Sequence, residues 1–131
     1  MKRILIIEDQ ADIRRLIRWT LEFENFEIHE ANNGPSGLEA ARKLKPDLIL
    51  LDVMMPGGLD GFQVCEQIKA DAVLSQVPVV ILTARSQQRD RDAGNRAGAD
   101  AFLPKPFSPL QLVDTVNGML SAASAAVPGS P

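Results

Sequence analysis

Residues 48–62 read LILLDVMMPGGLDGF: four apolar residues run straight into an aspartate, Asp52, and the chain then breaks into a Pro/Gly-rich loop. A short run that is apolar on both faces suits a central strand of a parallel sheet covered by helices on either side. Ending such a strand on a carboxylate is costly, because an unpaired anion beside an apolar core loses its hydration. Asp52 is tolerable there only if something at the ends of neighbouring strands compensates its charge.

Strand-like and helix-like segments alternate on both sides of this stretch. RILII (3–7) is a compact β-rich run, followed by Ile13, Leu16, Ile17, Thr20 and Leu21 at helical spacing, which predicts a helix from about Ala11 to Phe23. Trp19 and Phe23 lie near that apolar face and are expected in the core. FEIHEA (26–31) reads as a second strand and NNG as a turn. Pro35 then opens a helix carrying Leu38, Ala41 and Leu44 until Pro46 stops it. Beyond the central loop, Asp60 can cap a helix bearing Phe62, Cys65 and Ile68. VPVVILT (77–83) is a fourth strand, and residues 86–98 form a largely solvated helix with little but Ala93 and Ala97 to bury. ADAFLPK is a short fifth strand. A last helix starts with Ser108 as N-cap and Pro109 in its first position, with Leu112, Val113, Val116 and Leu120 inward.

Five βα units with no room for hairpins imply an α/β fold: an open, doubly wound, five-stranded parallel sheet with helices on both faces. Residues 1–120 are read as one domain. The tail SAASAAVPGSP (121–131) lacks large apolar residues and is expected to be disordered, a tail or linker remnant.

Composition narrows the function. The chain has 131 residues, 45% hydrophobic and 24% charged, without the roughly 20 consecutive apolar residues of a membrane span. MKRILIIED is too short in its apolar run for a signal peptide, so the protein is expected to be cytoplasmic. A net charge of −3 leaves no electrostatic footprint for direct nucleic-acid binding. The single cysteine, Cys65, cannot form an internal disulfide and reads as a buried structural thiol. His29 has no second histidine to share a metal with and reads as structural or solvated.

In an open α/β sheet, ligands bind outside the carboxyl ends of the strands. Strand one ends in Glu8 and Asp9, strand three in Asp52, strand four in Thr83, and strand five in Lys105 followed by Pro106. Three carboxylates converging on one rim repel unless a cation joins them, and a hard, oxygen-lined site favours Mg²⁺. Phosphoryl transfer uses this set: Asp52 as nucleophile, Lys105 as a point charge for the phosphate, and the Thr83 hydroxyl as a hydrogen-bond partner for a phosphoryl oxygen. Taken singly, each residue has an ordinary reading: an acid at a strand end caps the next helix, a threonine serves a loop amide, a lysine is solvated. Their combination at four separate strand ends favours the chemical reading.

IIEDQ, LILLDVMMPGGLDG, VVILTA and GADAFLPKPF, in that order, resemble the receiver domain of bacterial two-component response regulators over roughly residues 2–120. The resemblance implies a flavodoxin-like strand order of 2-1-3-4-5. It makes Asp52 the phospho-acceptor and Asp9 a direct Mg²⁺ ligand, with Glu8 acting mainly through metal-bound water and the backbone carbonyl of Met54 completing the ligands. It casts Thr83 as the switch hydroxyl, Lys105 as the phosphate-binding lysine and Phe102 as an aromatic that rotates between outward and inward positions. It also implies a cis peptide between Lys105 and Pro106. Two departures stand out: PGGLDG is one residue longer than usual between its proline and Asp60, and Met54 and Arg85 occupy positions that tune dephosphorylation.

The implied partners are a histidine kinase or phosphotransfer protein and a downstream protein or output domain, with no membrane and no turnover beyond self-phosphorylation and self-dephosphorylation of Asp52. Dimerisation through the last two βα units is left open, as is whether the chain is a stand-alone receiver or the front of a longer regulator. Competing readings are a haloacid-dehalogenase-like phosphatase, disfavoured because Met54 stands where such enzymes place a second acid, a flavin-binding flavodoxin, and a receiver used only as an interaction module. The acidic rim speaks against a flavin phosphate cradle.

Overall fold

The computed structural model describes residues 1–53, 60–83 and 88–125. Strands and helices alternate as β1 (Arg3–Ile7), α1 (Ala11–Glu22), β2 (Glu27–Ala31), α2 (Gly34–Leu44), β3 (Leu48–Asp52), α3 (Gly61–Ala70), β4 (Val79–Thr83), α4 (Gln88–Ala97), β5 (Ala101–Pro104) and α5 (Pro109–Ala125). The five strands are parallel and lie in the order β2-β1-β3-β4-β5, as the resemblance implied.

Helices cover both faces. Leu5, Ile7, Ile49, Leu51 and Val79 pack under α2, α3 and α4, while Ile4, Ile6, Leu48, Leu50, Val80 and Leu82 pack under α1 and α5. Every residue of LILL in β3 has no accessible surface, which is why that run shows no alternation. Each such side chain contributes about 2 kcal/mol of burial. Among the described residues, no helix is long and apolar enough to cross a membrane.

Caps hold the helix starts where the sequence placed them. The Asp60 side chain accepts from the Gln63 amide while the Gln63 side chain accepts from the Asp60 amide, a reciprocal cap on α3. Ser108 and Gln111 form the same pair at the start of α5. Gly61 is required by close approach, since a Cβ there would stand 2.5 Å from Val53 Cα. The N-terminus of α3 is therefore seated directly on the backbone that follows Asp52.

Two expectations need correction. Trp19 and Phe23 are not core residues: they are 67% and 78% exposed. Each lies two residues, about 200° of helical rotation, beyond a fully buried neighbour, Ile17 and Leu21 respectively, and so points away from the sheet. The chain also remains helical past residue 120, with α5 reaching Ala125. Ala-rich SAASA offers nothing large to bury, but alanine is the best helix former and extends the preceding turns. Residues 126–131 of the expected tail lie outside the described residues. Cys65 is buried, donates to the Ala97 carbonyl at 3.5 Å, and has its thiol pKa pushed up to about 11 by burial, as a structural thiol should. His29 Nε2 pairs with Glu27 Oε2 at 2.8 Å on the edge strand β2.

Candidate functional site

Strand register builds the rim. Ile7 pairs with Leu51, so the next residues, Glu8 and Asp52, stand side by side, and Asp52 itself pairs with Leu82. Thr83 follows Leu82 and pairs with Pro104, after which comes Lys105. Four strands thus deliver their terminal residues to one edge, and the Lys105 amide donates to the Thr83 carbonyl at 2.6 Å.

Glu8, Asp9 and Asp52 form an acidic cluster in which one carboxylate oxygen from each lies within 4.8 Å of the others. Glu8 and Asp52 are buried, at 0% and 2% exposure. Lys105 Nζ stands over them, 3.1 Å from Glu8 Oε2 and 3.4 Å from Asp52 Oδ1. One ammonium does not neutralise three carboxylates. Burial first, and the charge of Asp52 second, push the Glu8 pKa up to about 7 against the opposing pull of Lys105.

The cluster fits a divalent cation. Asp9 Oδ1 is buried without a hydrogen-bond partner among the described residues, and a cation held there would satisfy its lone pairs. All the donors are hard oxygens, the preference of Mg²⁺. Asp9, Glu8 and Asp52 would hold such an ion; the Met54 carbonyl, the fourth expected ligand, lies outside the described residues, as does Arg85.

Thr83 is buried at the end of β4, 2% exposed. Phe102 sits apart from the acids, half-buried against α4: its Cζ would lie 2.6 Å from a Cβ at Gly94, and the Arg91 guanidinium stands 5.9 Å from its ring centroid. The absent side chain at Gly94 makes the berth for the ring. The Lys105–Pro106 peptide is cis.

One contributor was not foreseen from the sequence. Arg14 of α1 donates through Nη1 to the carbonyls of Glu8 (2.8 Å) and Asp9 (3.1 Å), and through Nε to Glu30 Oε1 at 3.1 Å. An arginine early in an amphipathic helix looks like a solvated residue, and no spacing rule signals its carbonyl partners.

The fold and its rim define a class, open α/β proteins of flavodoxin-like topology with a cation-ready acidic cleft beside a lysine. The chain belongs to the response regulator receiver domain family, whose profile matches residues 4–117. It is 43% identical over 122 residues to the transcriptional regulatory protein ResD of Bacillus subtilis (93% of this chain, 49% of ResD). Against the phosphate regulon transcriptional regulatory protein PhoB of Escherichia coli K12 the identity is 40% over 123 residues (94% of this chain, 53% of PhoB). The chain thus spans about half the length of the curated relatives it matches. Among solved structures, the receiver domain of sensor histidine kinase PA1611 from Pseudomonas aeruginosa, which has a magnesium ion coordinated in its active site cleft, superposes with a TM-score of 0.85 at 28% identity. That match covers 92% of this chain and 98% of the other. Membership in this family sets the phosphatase alternative aside.

Proposed function

We propose that this receiver domain accepts a phosphoryl group on Asp52 from a phosphohistidine of a histidine kinase or phosphotransfer protein, with Mg²⁺ held by Asp9, Asp52, the Met54 carbonyl and, through water, Glu8. The observation that carries the reading is the buried Asp52 carboxylate beside both the cation-ready oxygens and Lys105 Nζ. A bound Mg²⁺ supplies positive charge to the transferring phosphoryl oxygens. A carboxylate oxygen of Asp52 forms the new P–O bond as the P–N bond to the donor imidazole breaks, and the released electron pair returns to that ring. Lys105 exchanges its carboxylate contacts for the phosphoryl oxygens, and Thr83 donates its hydroxyl to one of them. Water later attacks the acyl phosphate, returning Asp52 and releasing phosphate.

The switch follows from the added charge. Thr83 drawn toward the phosphoryl group frees space above β4, Phe102 leaves its berth over Gly94 for that space, and the α4–β5 surface changes for a downstream protein or an output domain.

The phosphodonor approaches from the α1 side. Leu16, Trp19, Phe23, Pro109, Leu110 and Val113 line an apolar groove of about 560 Å³ between α1 and α5. Leu16 also borders a second cavity, walled by Ile13, Lys105, Pro106 and Phe107, which lies toward the reacting end of the sheet. Exposed aromatics in such a position are the anchors a protein partner uses.

Asp52→Asn tests the acceptor. With Mg²⁺ and a small-molecule phosphodonor, intact-mass measurement is expected to show one phosphoryl group on the wild type and none on the variant. Phosphate on the variant would overturn the assignment.

A further inference from the structure

Glu8 and Asp9 sit on a turn, where β1 gives way to α1, and turns are where side-chain aim is most easily lost. This turn is tied on both sides. The Glu8 amide donates to the Ala31 carbonyl at 3.0 Å, and Arg14 Nη1 takes the two consecutive carbonyls of Glu8 and Asp9. Arg14 is itself held: its Nε is bonded to Glu30 at the end of β2, and Glu30 is gripped on its other oxygen by Arg18. Burial works to raise the Glu30 pKa, but the bonds and charges of Arg18 and Arg14 outweigh it and hold the carboxyl below its usual range. Glu30 is therefore a firmly ionised anchor.

We propose that Arg14 is a positioning residue for the metal site: by fixing the peptide planes on either side of Asp9, it holds the Glu8 and Asp9 carboxylates in the geometry a divalent cation needs. The inference rests on the reading that Glu8, Asp9 and Asp52 hold Mg²⁺. Its support is that Asp9 Oδ1 stays buried without a hydrogen-bond partner among the described residues. A turn free to relax would rotate that oxygen toward a protein donor. The guanidinium also carries a positive charge close to the cluster, and charge alone would repel the ion. Positioning and charge thus predict opposite signs.

Arg14→Lys and Arg14→Met separate them. Lysine keeps the charge but, as a single ammonium, lacks the planar fork that joins Glu30 to two carbonyls. Methionine removes both. Mg²⁺ dissociation constants from calorimetry, with amide shifts of Glu8 and Asp9 followed by NMR, are expected to rise about tenfold in both variants, the low end of the effect of an outer-shell partner. Urea unfolding run alongside checks that each variant is folded, and Glu30→Ala, which frees Arg14 while leaving it in place, is expected to weaken Mg²⁺ in the same direction and to be non-additive with Arg14→Lys. Wild-type affinity in Arg14→Lys, or tighter binding in Arg14→Met, would overturn the inference while leaving the site reading intact. A wild-type protein that binds no Mg²⁺ at millimolar concentration would instead overturn the site reading beneath it.

Discussion

Replacing Glu8 by glutamine removes a fully buried carboxylate whose pKa the site raises from 4.5 to about 7. Burial is the leading cause, the charge of Asp52 the next, and Lys105 opposes both. A raised native pKa means that the folded protein holds this proton more tightly than the unfolded chain does. The resulting stabilisation is complete below the unfolded value of 4.5, declines as pH rises toward about 7, and is lost above it. With each pKa unit worth about 1.4 kcal/mol, the metal-free wild type loses roughly 2–3 kcal/mol through Glu8 between about pH 5 and about pH 8. Glutamine has no proton to lose. Urea unfolding of both proteins in chelator, at the two pH values, should therefore show the variant gaining roughly 2–3 kcal/mol on the wild type on going to alkaline pH, with unchanged m values. Comparing the two proteins at each pH cancels the titration of retained groups that do not interact with Glu8. Mg²⁺ added at the higher pH should stabilise the wild type more than the variant, because there Glu8 is a carboxylate that attracts the ion and glutamine carries no charge. A wild-type-to-variant difference that is the same at both pH values would refute the reasoning that burial and Asp52 hold a proton on Glu8.

Gly61→Ala places a methyl group against Val53 Cα, so α3 must retreat from the backbone after Asp52. The expected loss is about 1–3 kcal/mol in urea or thermal unfolding, and unaltered stability would show that the helix seats less tightly than described. Trp19→Ala combined with Phe23→Ala strips the exposed aromatics from the α1–α5 groove and should slow phosphotransfer from a phosphohistidine protein by at least about tenfold. Phosphorylation by a small-molecule donor should be unchanged, and equal slowing with both donors would remove the groove from the reading.

Much of the architecture was legible because its signals are local. RILII reads as a compact β-rich run, LILL and VPVVILT, apolar on both faces, read as interior strands, and Asp60 and Ser108 announce their helices through caps made within four residues. The acids, threonine and lysine were legible as a site because a parallel sheet sends every strand's carboxyl end to the same rim. Trp19 and Phe23 were misjudged for want of an angle: both follow a core residue by two positions, which on a helix is nearly the opposite side. The extent of α5 was misjudged because absence of large apolar residues was equated with absence of helix, although alanine needs no burial to favour it. Arg14 was illegible for a different reason. Its partners are backbone carbonyls and an acid on another strand, and a one-dimensional pattern records neither.

The contact between Lys105 and Glu8 joins residues 97 positions apart, and its consequence concerns the growing polypeptide. A nascent chain that has emerged only through β4 already carries all three acids but lacks the ammonium that tempers them. The acidic rim therefore gains its one positive contact late in synthesis, once the residue that follows β5 has emerged.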